Sequence, residues 1–235
     1  FIKKNNRPIF ITTVHGPYSV NFYSSIMTKG EKVIVVSEMI REYVLKNYKI
    51  DRKKLVLNYR GVSDKIFPFN YKASQKWLKK WPQTKNKIIL TLPGRITRWK
   101  GQDDFIIVLN GIIKKNPNVH GLIVGDEAKN LKFTKELKEI VKKLGLEQNI
   151  SFVGNRKDIT EIMSISRIVF SLSKEPEAFG RISLESLSLG IPVIAYSHGG
   201  VKEQLIKLLP KGLIKVGNID DVVNLGLRWI GKSPK

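Results

Sequence analysis

The alternation of short apolar runs with longer segments of helical periodicity is the feature that most constrains the fold of this chain. From residue 87 on, runs rich in β-branched and aliphatic residues alternate with segments of helical spacing. Strands separated by helical segments of about 10–15 residues are typical of a doubly wound parallel sheet. The strands are predicted at residues 87–92, 119–124, 150–153, 168–172 and 192–195, and the helices at residues 103–115, 131–144, 158–164, 181–189, 200–208 and 220–235. We expect the last helix to fray at Ser233 and Pro234.

The first 66 residues repeat this alternation on a smaller scale. Strands are predicted at residues 8–14, 32–36 and 55–57, and helices at residues 20–28 and 38–46, the second of them capped by Ser37. The pattern weakens over residues 67–86. We therefore predict an α/β fold with a truncated Rossmann-like domain at residues 1–66, a linker containing a helix at 67–86, and a Rossmann-like parallel-sheet domain at 87–235.

Composition limits the function classes. Lys and Arg number 42 against 20 Asp and Glu, a formal net charge of +22, which first indicates nucleic acid or an anionic membrane as a partner. Hydrophobic residues make up 42% of the chain, enough for a normal core, so disorder is excluded. No apolar run approaches the ~18 residues of a membrane span. The chain has no Cys, which excludes disulfides and thiolate chemistry.

The loop at residues 93–101 follows a predicted strand and carries two cations. Gly94 permits a tight exit from the strand, and Arg95 and Lys100 stand just before a helix begins. A guanidinium, an ammonium and a helix N-terminus together suit a diphosphate. In a chain this basic an ordinary solvated loop fits the same residues, so spacing alone leaves both interpretations open.

A second loop, at residues 174–180, carries carboxylates into a helix. Glu177 lies in the loop, and Glu185 lies about one turn into the following helix, so both can reach one cleft. A loop carboxylate beside backbone N–H groups can bind sugar hydroxyls, and one near a helix start suits a ribose. The alternative is that both carboxylates only interact favourably with the positive end of the helix dipole.

Other candidates are less specific. In the loop at residues 196–203, the pair Gly199–Gly200 allows close backbone approach to a ligand or forms an ordinary turn. His15 ends a predicted strand and either points into a cleft or has a structural role. The pairs Asp103–Asp104 and Asp220–Asp221 are most simply N-terminal helix caps. The chain has three His, none at ligand spacing from carboxylates, so we predict no metal site.

Taken in order, these motifs resemble the retaining family 4 glycosyltransferases, which have the GT-B fold. Gly94–Arg95 with Lys100–Gly101 is similar to the family's diphosphate loop, and Glu177 to Glu185 is similar to its E-x-F-G-x-x-x-x-E signature. Further matching motifs are residues 190–195, Gly199–Gly200 with Glu203, residues 35–37 and the turn at Gly61.

The resemblance implies a role for each matching residue. Arg95 and Lys100 would bind the donor diphosphate and stabilise the leaving nucleotide, and Glu185 would bind the ribose. The other implied site residues are Gly94 in the diphosphate loop, Glu177 on donor sugar hydroxyls with the backbone N–H groups of Phe179 and Gly180 nearby, His15 facing the donor sugar, and Asn155 in the loop that holds the base. The family needs no metal for catalysis and no cofactor beyond the donor.

Two features depart from the family pattern. The first domain is short, so we expect either a segment of a longer enzyme, which the first residue Phe1 favours, or the decayed product of a split gene. Arg60 replaces the usual Asn before Gly61, and Ser63 replaces the usual Asp.

The function expected from the resemblance is transfer of a sugar from a UDP- or GDP-linked donor to a glycan or lipid-linked acceptor, in cell-envelope polysaccharide assembly. We expect a cytoplasmic protein, with peripheral contact to anionic lipid at the cytoplasmic face of the membrane. One alternative is a non-catalytic nucleotide-sugar-binding fragment. Another is a nucleic-acid-binding protein, which only the charge favours, and we expect no nucleic-acid partner.

Overall fold

The computed structural model describes residues 7–74 and 76–232. The residues before and after these limits, including the predicted fraying at Ser233 and Pro234, lie outside the described part. The chain divides into two compact units. The first contains the described residues up to Gly61 together with Glu177–Phe179, and the second contains Val62–Pro176 and the residues from Gly180 on.

The first unit is a small parallel α/β assembly. Its elements are β1 (Ile11–Val14), α1 (Phe22–Ser25), β2 (Lys32–Val35), α2 (Glu38–Asn47) and β3 (Leu55–Leu57), with 3₁₀ turns at Ile26–Thr28 and Arg52–Lys54. The strands are parallel in the order β1-β2-β3. The predicted cap of α2 is confirmed, because the Ser37 side chain accepts a hydrogen bond of 3.2 Å from the Ile40 backbone N–H.

The second unit is built on a larger sheet. Its elements are α3 (Lys76–Lys80), β4 (Ile88–Pro93), α4 (Gln102–Ile113), β5 (Val119–Val124), α5 (Leu131–Lys143), β6 (Ile150–Phe152), α6 (Ile159–Ser164), β7 (Ser166–Ser171), α7 (Arg181–Ser188), β8 (Val193–Tyr196), α8 (Gly199–Leu208), β9 (Leu213–Ile214) and α9 (Ile219–Gly231). All pairings are parallel, in the order β6-β5-β4-β7-β8-β9. The predicted α/β class with parallel sheets is confirmed.

Both faces of the larger sheet are covered, because successive side chains along a strand point to opposite faces. In β7, Ile168 and Phe170 pack into a core with residues of α4, α5 and α9, while Val169 between them packs with residues of α6, α7 and α8. This burial on both sides explains why the strands are apolar without a break rather than alternating.

The strand order reverses between β4 and β7. From β4 the chain proceeds outward to β5 and β6, and then returns to place β7 on the other side of β4. In open parallel sheets, ligands bind beyond the carboxyl ends of the strands at such a reversal. The two loops that begin there are the β4–α4 loop and the β7–α7 loop, which carry the candidate residues.

The segment predicted as a linker is part of the second unit and packs against α6. The Tyr71 hydroxyl and the Ser74 backbone N–H donate to the two carboxylate oxygens of Glu161, at 2.8 and 2.7 Å. The rings of Trp77 and Trp81 stack 5.7 Å apart. The domain boundaries stay predictions. In the described ranges, no helix has both the length and the apolar composition to cross a membrane.

One buried histidine makes stability depend on pH. His120 in β5 is 2% exposed, and its Nε2 lies 2.9 Å from the Ser151 hydroxyl. Burial, and then the charge of Lys87, lower the pKa of His120 from 6.5 to about 4. The unfolded chain therefore binds a proton that the folded chain does not, so stability falls as the pH drops from 6.5 towards 4.

We expect on the order of 1–2 kcal/mol of stability to be lost between pH 7 and pH 5. Urea unfolding at a series of pH values measures it. The dependence of the free energy of unfolding on pH between pH 7 and pH 5 should largely vanish in His120→Gln. An unchanged dependence in that variant would contradict the assignment of this effect to His120.

Candidate functional site

The β4–α4 loop is held close to the end of β7 at a single glycine. Gly101 has a φ of 73° and stands between the 3₁₀ turn Arg98–Lys100 and the first residue of α4. A Cβ on Gly101 would lie 2.0 Å from the Leu172 carbonyl oxygen, so only glycine fits. Next to it, the Lys174 backbone N–H donates to the Trp99 carbonyl at 2.6 Å. The two loops at the strand reversal are thus joined backbone to backbone.

Two predicted cations of this loop face one aromatic ring. The Lys100 ammonium lies 4.4 Å, and the Arg95 guanidinium carbon 5.9 Å, from the centre of the Trp99 ring. The ring's electron-rich face attracts both cations and offsets part of their mutual repulsion. The N-terminus of α4 follows directly, with its free N–H groups and positive dipole end. This arrangement suits a diphosphate, and Gly94 lies beside the same lysine, since a Cβ on it would be 3.7 Å from the Lys100 side chain.

The third cation of the loop is engaged elsewhere. The Arg98 guanidinium donates to Glu136 at 2.7 Å and lies 4.9 Å from the centre of the Phe133 ring. It therefore belongs to the α5 surface, and it provides a control for the two cations that face Trp99.

The acidic pair at the start of α4 holds a second set of contacts. The Lys174 ammonium lies 2.7 Å from Asp103 Oδ2 and 3.0 Å from Asp104 Oδ1, and the Tyr196 hydroxyl donates to Asp104 at 2.7 Å. Burial, and then the bond to Asp104, raise the pKa of Tyr196. Bonds to both carboxylates outweigh burial and raise the pKa of Lys174.

The predicted helix caps are wrong for both acidic pairs. Gly101 occupies the cap position of α4 without a side-chain bond, and Asp103 and Asp104 lie within the first turn. In α9 the cap is Asn218, whose side chain accepts from the Asp221 backbone N–H. From the first turn, the acidic residues still interact favourably with the positive end of the helix dipole.

Helix α7 places the second carboxylate of the signature in a buried position. The helix begins after Gly180, whose φ is 81° and whose Cβ would lie 2.2 Å from the Val201 side chain. Glu185 is 4% exposed, and it accepts a hydrogen bond of 2.7 Å from the exposed Arg181. A carboxylate buried to this degree, with an exposed arginine as its partner, can also accept hydrogen bonds from the hydroxyls of a ligand.

The remaining predicted residues are distributed between the units. Glu177 is half-buried and Phe179 is buried, and both belong to the first unit, as His15 does. Asn155 is exposed in the loop after β6, two strands away from β4, beside Gly154 with a φ of 72°.

His15 has a partner that was not among the predicted site residues. It directly follows β1 and is exposed, and Arg60, in the loop after β3, contacts its Nδ1. Burial, and then the charge of Arg60, lower the pKa of His15. The only sequence signal for this contact was the departure of Arg60 from the family pattern.

No group of three or more His, Asp or Glu side chains that could hold a metal ion occurs in the part of the chain that the structure describes. Metal independence stays a prediction.

Comparison with known proteins finds glycosyltransferases, and the structural matches confirm the predicted GT-B type of fold. The mannosylfructose-phosphate synthase of Agrobacterium fabrum is 28% identical over 178 residues, which are 73% of this chain and 38% of that protein. The crystal structure of a glycosyltransferase from Rickettsia africae is 32% identical, with a TM-score of 0.79 over 95% of this chain and 62% of that one. Anabaena Alr3699/HepE in complex with UDP and glucose has the same fold, with 23% identity and a TM-score of 0.83 over 95% of this chain and 62% of that one.

The chain spans about two fifths of the curated relative's length. The model of the glycosyl transferases group 1 family matches residues 73–234, more than half of the chain. This protein therefore belongs to the glycosyl transferases group 1 family.

Proposed function

We propose that the chain carries the donor site of a retaining family 4 glycosyltransferase, which takes a sugar from a UDP- or GDP-linked donor. The observation that carries the proposal is the pair of cations on Trp99 in front of α4, in a chain of this family. Arg95 contributes a fork of donors and Lys100 a point charge, the combination that suits the two phosphates of a nucleoside diphosphate. The Anabaena relative, which has the same fold, was solved with UDP and glucose.

The other site residues contact the parts of the donor on either side of the diphosphate. Glu185 accepts the ribose hydroxyls, for which its burial on α7 gives a desolvated acceptor. The other proposed contacts are Gly94 beside the diphosphate, Glu177, Phe179, Gly180 and His15 on the donor sugar, and Asn155 in the loop that holds the base.

The reaction follows from where charge develops. The bond between the sugar C1 and the diphosphate oxygen breaks, negative charge builds on the phosphates, and Arg95 and Lys100 stabilise it electrostatically. The acceptor oxygen forms its bond to C1 on the same face, and the acceptor proton passes to the departing diphosphate. Configuration is retained, and the protein supplies positioning and charge without a metal or a further cofactor.

The proposed acceptor is a glycan or lipid-linked sugar in cell-envelope polysaccharide assembly, and the proposed location is the cytoplasm with peripheral contact to anionic membrane. A basic cluster in the first unit supports the membrane contact. The Lys32 ammonium donates to the Lys53 carbonyl at 3.4 Å, next to the 3₁₀ turn that also holds Arg52 and Lys54. Each cation near an anionic surface can add ~1 kcal/mol of binding.

A thermal-shift screen of UDP- and GDP-sugars tests the donor site. A ligand at a hundred times its Kd stabilises the folded chain by about 2.7 kcal/mol, which for a chain of this size should raise the Tm by roughly 5–10 °C. Uridine and guanosine monophosphates, which lack the second phosphate, are the matched controls and should give clearly smaller shifts. If no nucleotide sugar shifts the Tm, the donor site is refuted.

Assays of transfer then separate the two candidate functions. Turnover with a retained anomeric configuration, read by NMR of the product, supports the transferase. Binding without turnover supports the alternative, a non-catalytic nucleotide-sugar-binding fragment. Tight, steeply salt-dependent binding of DNA or RNA in place of nucleotide sugars would contradict both.

A further inference from the structure

Arg60 and His15 stand at the same edge of the first unit. His15 follows the last residue of β1, and Arg60 lies three residues after β3. Because the three strands are parallel, their carboxyl ends lie at one edge of the sheet. The two loops meet there across β2, and the Arg60 guanidinium contacts Nδ1 of the His15 ring.

The chemistry of the two groups fixes the direction of this hydrogen bond. A guanidinium has only N–H donors, and it stays protonated at any pH at which the protein is folded. The His15 Nδ1 must therefore be the acceptor, with its lone pair facing Arg60. In a neutral imidazole one nitrogen accepts and the other carries the proton, so the proton of His15 is on Nε2.

Burial and the charge of Arg60 also favour the neutral form of His15, because both lower its pKa. Three carboxylates of the first unit are engaged elsewhere. Glu31 pairs with Arg7, Glu38 with Arg41, and Asp51 accepts from the Lys53 backbone N–H.

We propose that Arg60 is a positioning residue that holds His15 as the neutral Nε2–H tautomer, so that His15 donates a hydrogen bond to an oxygen of the donor sugar. The tautomer follows from the contact itself, whereas the sugar as recipient rests on the proposed function. In this state His15 is neither a general acid nor a general base, because Nδ1 is occupied by Arg60 and the imidazolium is disfavoured. His15 thus acts as a neutral hydrogen-bond donor whose orientation Arg60 fixes.

Long-range ¹H–¹⁵N NMR of the histidine side chains tests the tautomer directly in the whole chain. Signals are assigned with His15→Gln, His120→Gln and His198→Gln. We expect His15 to show a protonated Nε2 and an unprotonated Nδ1 at neutral pH. In Arg60→Met the His15 signals should move towards a mixture of tautomers, and its pKa should rise. Arg52→Met, which removes a cation from the same unit away from His15, should leave both unchanged.

A protonated Nδ1 in the wild type, or an unchanged tautomer in Arg60→Met, would overturn the proposal. Donor binding is measured separately, and we expect Arg60→Met to weaken it about tenfold with no change in Tm. If the tautomer depends on Arg60 but no nucleotide sugar binds the wild type, the proposed function fails while the tautomer assignment stands.

Discussion

Replacing Arg95 by methionine is expected to weaken the binding of UDP or GDP by about 10- to 100-fold. The reason is that a charge-assisted hydrogen bond between a guanidinium and a phosphate contributes about 1.5–3 kcal/mol, and methionine keeps the stem while removing the charge and the donors. Lys100→Met should have a similar effect. Because both cations face the same ring, the double variant should lose more than either single variant. Isothermal titration calorimetry of the whole chain measures these affinities.

Arg98→Met is the matched control for this experiment. It removes one positive charge from the same loop, but Arg98 is directed at Glu136 and Phe133 rather than at Trp99. Because its ion pair is exposed to solvent, its loss should change stability little, and nucleotide affinity should also change little. Equal losses in Arg95→Met and Arg98→Met would show that the loop acts only through its overall charge, which contradicts a built diphosphate site. Where transfer is assayed, Arg95→Met or Lys100→Met should each lower kcat by about 10²–10³-fold, because each removes one contact that stabilises the charge on the diphosphate.

The order and type of most elements could be predicted from the sequence because their signal is local. Apolar runs such as residues 119–124 coincide with β5, and the helical periodicity over residues 131–144 ends one residue beyond α5. Strand β9 could not be predicted, because two residues carry no periodicity. It forms because Leu213 and Ile214 pair with the edge of β8.

The sequence proposes residues for the site but not their partners. The motif spacing selects Arg95, Lys100 and Glu185, since it depends only on the distance along the chain from a strand or a helix start, and their roles stay predictions. The contacts at the start of α4, next to the β4–α4 loop, join residues far apart in sequence. The Lys174 ammonium reaches Asp103 across 71 residues, and the Tyr196 hydroxyl reaches Asp104 across 92. A single sequence has no local signal for such pairs.

The wrong prediction of helix caps at the two acidic pairs has the same cause, the absence of tertiary contacts from the sequence signal. An Asp–Asp pair before an apolar stretch fits a helix cap, and local reasoning stops there. In α4 the cap position is taken by Gly101, which lies against Leu172, so the two carboxylates lie within the first turn and contact Lys174 and Tyr196. An Asp is favourable both as a helix cap and within the first turn of a helix. Tertiary packing therefore decided which of these positions the two residues occupy.

Replacing Gly101 by alanine is expected to destabilise the second unit by more than about 3 kcal/mol, and with it the donor site. Two costs add. An L-residue at a φ of 73° costs roughly 1–2 kcal/mol, and the new Cβ would meet the Leu172 carbonyl oxygen at 2.0 Å, which forces the backbone apart. Since Lys100 immediately precedes this glycine, the displacement also moves its ammonium away from Trp99.

Gly145→Ala separates these two costs. Gly145 has nearly the same backbone conformation, with a φ of 66°, but a Cβ there would meet nothing within 4 Å. It should lose only the conformational part, roughly 1–2 kcal/mol, and keep its affinity for UDP or GDP. Urea unfolding gives the stabilities, and calorimetry gives the affinities of the folded variants. Equal destabilisation by the two alanines would mean that the approach of the β4–α4 loop to Leu172 is not what holds the diphosphate site in place.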